Sequence, residues 1–255
     1  MSYTDINYYN YFYFINMKLI KCVPYYVYFK YKIKPYNKLT SINNNYCILL
    51  TMTVNINNNI KLLTVKDSNE RRDVYIRTIK KWLYYTNIKI IVVENSNYHF
   101  NELEYEKDIF KDRFEIISFN ENNVFPVIAS DKTKGTHELY SIRYANNNSD
   151  LIKKSDFIIK ITGRYFIPYL ENFISNHNLN NYLILCQFFT NYCVLLGCSK
   201  LHFNNLFDKN ELNSHIETTY QERINSIKKS LILKCPILKV DTVKQGGTGY
   251  VINYL

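Results

Sequence analysis

Glycine is scarce in this 255-residue chain: six occur, and three of them, Gly246, Gly247 and Gly249, crowd the C-terminal end. No strand-turn-helix of the needed spacing follows Gln245-Gly246-Gly247-Thr248-Gly249, which excludes the usual dinucleotide and P-loop fingerprints. The run reads as a mobile turn that closes over a site, or as a plain tail before Tyr250-Val251-Ile252. The six cysteines, Cys22, Cys47, Cys186, Cys193, Cys198 and Cys235, form no Cys-x-x-Cys pair and have no histidine at zinc-site spacing. They are expected to be buried, reduced thiols of a cytosolic protein. Also absent is any stretch of about eighteen apolar residues free of Asn and Lys, so a membrane-spanning helix is disfavoured. A basic segment leading into an unbroken apolar core is missing from the N-terminus, which argues against a cleaved signal peptide.

What the chain does have is positive charge, with a formal net value of +10. That favours phosphorylated or polyanionic partners: nucleotide-sugars, nucleic acid or anionic membrane surfaces. The excess of Asn, Ile, Lys and Tyr matches AT-rich coding, as in an AT-rich microbe or a large virus, and weakens the inference from lysine. A hydrophobic fraction of 47% is that of a globular protein long enough for one large α/β domain. Residues 1–44 read as a Tyr/Asn/Lys-rich extension, poorly constrained, with Met17 as an alternative start; residues 45–255 read as the domain. The extension's interleaved aromatics and lysines also suit a membrane interface or a nucleic-acid surface.

From Asn45 onward the pattern becomes punctuated. Tyr46 to Val54 reads as a buried strand. Ser68 or Asn69 caps a helix from about Glu70 to Tyr85, whose apolar face is Val74, Thr78, Ile79, Trp82, Leu83 and Tyr85, with Arg71 and the other charges mostly opposite. Ile88 to Val93 and Phe114 to Phe119 are further strands, ending in Glu94-Asn95-Ser96 and Asn120-Glu121-Asn122. A helix from about Thr136 to Ala145 follows Lys134-Gly135, and Leu151 to Lys154 prolongs helical structure. The run Phe157-Ile158-Ile159-Lys160-Ile161 then stops in Thr162-Gly163-Arg164-Tyr165. This order predicts an α/β fold with a mostly parallel central sheet flanked by helices. Thr51, Thr53, Glu94, Asn95, Ser96, Lys160 and Thr162 then share the rim formed by the strand ends, where ligands bind in such sheets. Lys160, Thr162 and Arg164 suit a phosphate there; the plainer reading makes the two cations solvated charges.

Three segments in the first half, Thr51-x-Thr53-Val54, then Glu70-Arg71-Arg72 with Tyr75 and Trp82, then Ile90 to Ser96, resemble the front of a GT-A-type glycosyltransferase domain. Lys134-Gly135-x-x-Glu138 and Lys160 to Tyr165 continue the likeness, which covers about Tyr46 to Leu255. The nearest character is that of glycosyltransferase-like proteins from bacterial surface-polysaccharide loci and giant viruses. The resemblance implies a single GT-A-like (Rossmann-like) domain, a nucleotide-sugar donor, and a glycan or glycoprotein acceptor. It also implies that Thr51 and Thr53 approach base and ribose and that Glu94, Asn95 and Ser96 contact the nucleotide. For Glu94, capping the next turn is the competing role. Glu138 accepts from sugar hydroxyls in this reading, or pairs with Arg143 or a nearby lysine.

Where GT-A enzymes carry a metal-binding Asp-x-Asp, this chain has Lys160-x-Thr162. Without paired carboxylates, the expectation is no cofactor, divalent metal such as manganese not being favoured. Lys160 and Arg164 then stabilise the leaving diphosphate, helped by Arg71 or Lys134. Asp131 and Asp156 are the fallback metal ligands. Glu217, in Ser214-His215-Ile216-Glu217, is the candidate base or acceptor contact; the alternative is a capping box begun by Ser214. Gly163 and Tyr165 complete the expected site. A cytoplasmic location is expected, in the host cytoplasm for a viral chain, with peripheral membrane association as the variant. The rival function is a basic nucleic-acid-binding or non-catalytic interaction protein, and a transferase fold that has lost catalysis is a third. Convergence of Lys160, Arg164, Thr51 and Glu94 in one cleft favours the enzyme.

Overall fold

The computed structural model describes residues 44–56, 65–128, 133–188, 193–208, 215–244 and 251–255. The first half alternates strands and helices: β1 (Tyr46–Met52), α1 (Ser68–Tyr85), β2 (Lys89–Glu94), α2 (Glu104–Ile109), β3 (Phe114–Ser118), α3 (Glu121–Val124), α4 (Lys134–Asn148), α5 (Asp150–Lys153) and β4 (Phe157–Thr162). The second half holds α6 (Leu170–Ser175), β5 (Ile184–Cys186), β6 (Leu195–Ser199), α7 (Phe203–Leu206), α8 (Ile216–Asn225), β7 (Ile232–Lys234), β8 (Lys239–Lys244) and β9 (Val251–Tyr254). Seven strands form one sheet in the order β3-β2-β1-β4-β6-β5-β7, and β8 and β9 make a separate hairpin. Four of the six pairings are parallel, and β6 runs antiparallel to both neighbours. The expected mostly parallel sheet with covering helices is therefore what forms.

Side-chain alternation divides the sheet into two buried faces. Ile48, Leu50, Val92, Ile159 and Ile161 face α1, whose Ile79, Trp82 and Leu83 pack on them. Cys47, Leu49, Ile91, Ile158 and Leu196 face α4 through Leu139, Ile142 and Ala145. Trp82 also donates its indole hydrogen to the Tyr165 carbonyl (3.0 Å), tying α1 to the chain leaving β4. The chain steps outward from β1 to β2 and β3, then returns to place β4 on β1's other side. The sheet's switch point consequently lies between the C-terminal ends of β1 and β4, where Thr51 pairs in register with Thr162.

Several local expectations shift. The α1 cap is Asp67, whose side chain accepts from the Glu70 amide (2.8 Å), not Ser68 or Asn69. Its buried stripe includes Arg71 and Tyr75, while Val74 is half-buried and Tyr85 is 73% exposed. The α4 helix starts at Lys134, two residues earlier than the sequence reading, which draws Lys134 and Gly135 into its first turn. Asn44, assigned to the extension, is fastened to the domain: its amide donates to the carbonyls of Ile174 and His177 and accepts from the Leu179 amide. The rest of the 1–44 extension, the 245–249 glycine run, Asp131 and Ser214 lie outside the described residues. The five described cysteines are unpaired thiols, and among the described residues no helix is long and apolar enough to cross a membrane.

Two glycines are needed because backbone and side chains come too close for a Cβ. At Gly163 a Cβ would fall 2.4 Å from Met52 Cγ and 2.7 Å from the Thr51 carbonyl oxygen. At Gly135 it would fall 2.3 Å from Ile216 Cγ2, so α4 and α8 touch through this residue. Gly163→Ala and Gly135→Ala should each destabilise the fold by about 1–3 kcal/mol, as overpacking does. Urea unfolding curves measure the cost, and a wild-type midpoint for either variant would contradict it.

Candidate functional site

A cavity of about 210 Å³ opens at the switch point. From the strand ends come Thr51, Thr53, Asn95, Thr162 and Arg164; α1 supplies Arg71 and Tyr75; α4 supplies Lys134, Gly135, His137, Glu138 and Ser141; α8 supplies Ile216 and Glu217. Ten of the residues singled out in the sequence meet here, drawn from segments as far apart as Thr51 and Glu217. Lys160, Glu94, Ser96, Gly163 and Tyr165 do not line it.

Each of those five has another place. Lys160, expected to face a phosphate, is fully buried in β4 and pairs with Glu138 (2.8 Å) while donating to the Cys193 carbonyl (2.6 Å). A lysine in mid-strand between Leu49 and Leu196 has no water to hold its charge, so the carboxylate of α4 does so. Glu94 is also fully buried, and its carboxylate accepts from the amides of Val54 (2.9 Å), Ser96 (3.0 Å) and Tyr98 (2.7 Å) and from the Ser96 hydroxyl. It thus caps the turn after β2. Burial pushes its pKa up, and those hydrogen bonds oppose the shift. Ser96 also accepts from the Asn55 amide (2.9 Å). Gly163 lies under Met52, and Tyr165 belongs to the core on the α1 face. Asp156 sits at the opposite end of β4, where it accepts from Asn45 Nδ2 (3.0 Å).

Two polar networks shape the cavity wall. In the first, the Thr51 hydroxyl donates to Glu138 Oε1 (2.7 Å), so Glu138 joins β1, α4 and β4 through Lys160; Arg143 instead donates to the Phe207 carbonyl. In the second, the Thr53 hydroxyl donates to Asn95 Oδ1 (2.6 Å), Asn95 Nδ2 donates to Glu121 Oε1 (3.0 Å), and Glu121 Oε2 lies 2.5 Å from His137 Nδ1. A carboxylate can only accept, so His137 carries its hydrogen on Nδ1. Sequence reading found neither Glu121 nor His137 as site residues. Their only signal was polarity at a strand end and at a helix start.

The cations set the electrostatics. Arg71 is 7% exposed, yet its hydrogen-bond partners are neutral: the Thr53 carbonyl (2.6 Å), the Val65 carbonyl (3.4 Å) and the Tyr75 hydroxyl (2.8 Å). Burial lowers its pKa; Tyr75 opposes that, and Arg164 lowers it further. Burial likewise lowers the Lys134 pKa, followed by the repulsion of Arg164 and Arg71, while Glu217 raises it. Three cations thus repel one another at one cavity. Such an arrangement costs free energy that a bound anion would recover. The N-termini of α4 and α8, which meet at Gly135 and Ile216, add partial positive charge. Helix α8 is capped by the His215 backbone with no side-chain hydrogen bond, so Glu217 does not complete a box with that residue.

No family model matches the chain, and no curated protein sequence matches it. Among solved structures, a protein described as a nucleotide-diphospho-sugar transferase from Desulfovibrio desulfuricans superposes with a TM-score of 0.44 at 14% identity, covering 76% of this chain and 80% of that one. A cytidylyltransferase from Leptospira borgpetersenii has a TM-score of 0.44 at 11% identity over 82% of each chain. The galactosyltransferase LgtC, solved with donor and acceptor sugar analogues, has a TM-score of 0.44 at 9% identity over 74% and 72%. These likenesses are partial, and the functional reading rests on the cavity.

The Lys160–Glu138 pair predicts an asymmetry. Glu138→Gln leaves a fully buried ammonium uncompensated and should cost about 3–5 kcal/mol. Lys160→Met leaves a carboxylate that reaches the cavity water and should cost less. The double variant should be more stable than Glu138→Gln alone in urea unfolding; equal costs for the two single variants would contradict the assignment.

Proposed function

We propose that this protein is a glycosyltransferase that moves a sugar from a nucleotide-sugar donor to a glycan or glycoconjugate acceptor. The observation that carries the reading is Arg71: a buried guanidinium with neutral partners, next to Arg164 and Lys134, at the switch point of a mostly parallel sheet. A diphosphate is the anion best matched to two guanidinium forks and an ammonium. In transfer, the acceptor hydroxyl oxygen bonds the anomeric carbon, the bond to the diphosphate breaks, and the nucleoside diphosphate leaves with the electron pair. The three cations stabilise that leaving charge. The hydroxyl proton goes to the Glu217 carboxylate on the facing helix. Thr51, Thr53, Ser141 and Asn95 offer hydroxyl and amide groups for ribose or sugar.

Arginine and lysine take the part a divalent cation plays in metal-dependent transferases. Of the described carboxylates at the cavity, Glu138 is committed to Lys160 and Thr51, and Glu217 is the other. Lys160 contributes through Glu138 and not by touching phosphate. EC class 2.4 and a metal-independent mechanism belong to this proposal, as does the nucleotide-sugar partner.

A thermal-shift series with UDP-, GDP- and CMP-sugars, with manganese or with EDTA, tests it. A donor at 100 times its Kd should stabilise the fold by about 2.7 kcal/mol, equally in both conditions; Arg71→Ala or Arg164→Ala should abolish the shift. Stabilisation by no nucleotide would refute the reading, and stabilisation only with manganese would refute the cationic mechanism. Glu217→Gln should keep donor binding and lower kcat by about 10²–10⁴-fold.

Lys134 gives an independent electrostatic signature. Its pKa lies below the ordinary 10.5 in the free protein because burial and two arginines disfavour the ammonium. A bound diphosphate offsets that repulsion and raises the pKa, so in alkaline solution below 10.5 UDP binding should take up protons. Calorimetry in buffers of different ionisation enthalpy should detect the uptake, and Lys134→Met should remove it. Equal uptake in wild type and variant would exclude Lys134 as the phosphate partner.

A further inference from the structure

A second cavity, of about 310 Å³, lies between α1 and the β8 strand. Val65, Val74, Arg77 and Lys81 line one wall, and Asp241 and Thr242 the other. It meets the switch-point cavity at three shared residues: Arg71, Tyr75 and Arg164. Arg71 and Arg164 therefore border both cavities.

We propose that the two cavities are the halves of one donor site, with the diphosphate held at Arg71 and Arg164 and one end of the nucleotide-sugar in each cavity. This rests on the nucleotide-sugar reading and adds where the ligand runs. Volume is the first argument. Clefts that hold drug-sized ligands run from about 300 Å³ upward, so the 210 Å³ cavity alone is too small for nucleoside, diphosphate and sugar together, whereas the joined pair is large enough.

Charge distribution is the second argument. A nucleotide-sugar carries its negative charge in the middle and an uncharged bulky group at each end. The site has the matching order: two mutually repelling guanidiniums at the junction and a chamber on either side. Arg71 is fixed there before any ligand arrives, since Thr53, Val65 and Tyr75 hold its three nitrogens. Its planar fork keeps further N–H groups for phosphate oxygens. On the α1 side, Lys81 is paired with Asp241 (2.5 Å) and Glu70 also lines the wall, so the outer chamber is less cationic than Lys81 and Arg77 alone suggest.

The test uses whichever sugar nucleotide stabilises the wild-type protein, together with inorganic pyrophosphate. Val74→Trp fills the α1–β8 chamber; Thr242→Trp, at an exposed position on the opposite wall, does the same if the first variant fails to fold. Either should weaken sugar-nucleotide binding by about tenfold or more, measured by titration calorimetry. Pyrophosphate, which needs only the junction, should bind nearly as in wild type. Unchanged sugar-nucleotide affinity in a folded variant overturns the spanning site and leaves the transferase reading standing. Parallel loss of pyrophosphate affinity also overturns it, because the chamber would then be only a support for Arg71. Failure of wild type to bind any sugar nucleotide while binding pyrophosphate refutes both.

Discussion

The arrangement of the site depends on one buried ion pair. Lys160 occupies the middle of a central strand, a position that sheet geometry reserves for apolar side chains. Its charge is tolerable only because Glu138 reaches it from α4 and the Cys193 carbonyl from the segment before β6. Pairing a charge in this way is costly compared with a leucine, and its return is positional. Glu138 also accepts from Thr51, so one carboxylate fixes the separation of α4 from both strands at the switch point. The first turn of α4, with Lys134 and Gly135, is placed accordingly.

A second constraint is electrostatic. Arg71 is anchored by neutral backbone oxygens and a phenol, so no carboxylate takes up its hydrogen bonds. The acidic groups nearby are mostly engaged: Glu94 with backbone amides, Glu121 with Asn95 and His137, Glu138 with Lys160. This division of labour keeps those carboxylates from pairing with Arg71. Geometry, not composition, produces the local sign.

Strands β1 to β4 were legible because each is a mostly apolar run with polar punctuation, and the rim residues follow from where those runs stop. The β5-β6-β7 part was not, since β5 and β7 are three residues long and pair only because tertiary contacts align them. Periodicity put Arg71 on the solvent side of α1; the Thr53 carbonyl and Tyr75 hydroxyl that draw it inward are invisible to a helical wheel. Lys160 was recognised as unusual, but its partner lies 22 positions upstream on another element. The Thr53–Asn95–Glu121–His137 chain spans separations of 42, 26 and 16 residues, and local pattern carries no information about such meetings. Glu94 illustrates the opposite error: a carboxylate at a strand end suggests a ligand, but here three backbone amides and the Ser96 hydroxyl occupy it.

The contact between Gly135 and Ile216 links the shape of the cavity to stability through a single atom. A hydrogen at position 135 lets the helices carrying Lys134 and Glu217 approach to the separation observed, so the cavity wall they form depends on the absence of a methyl group. Enlarging residue 135 would strain the packing of α4 against α8 and alter the cavity at the same moment. Trimming Ile216 would open space from the other side while removing a buried anchor of α8. Any adjustment of what fits the cavity is therefore coupled to a change in how firmly the two helices hold.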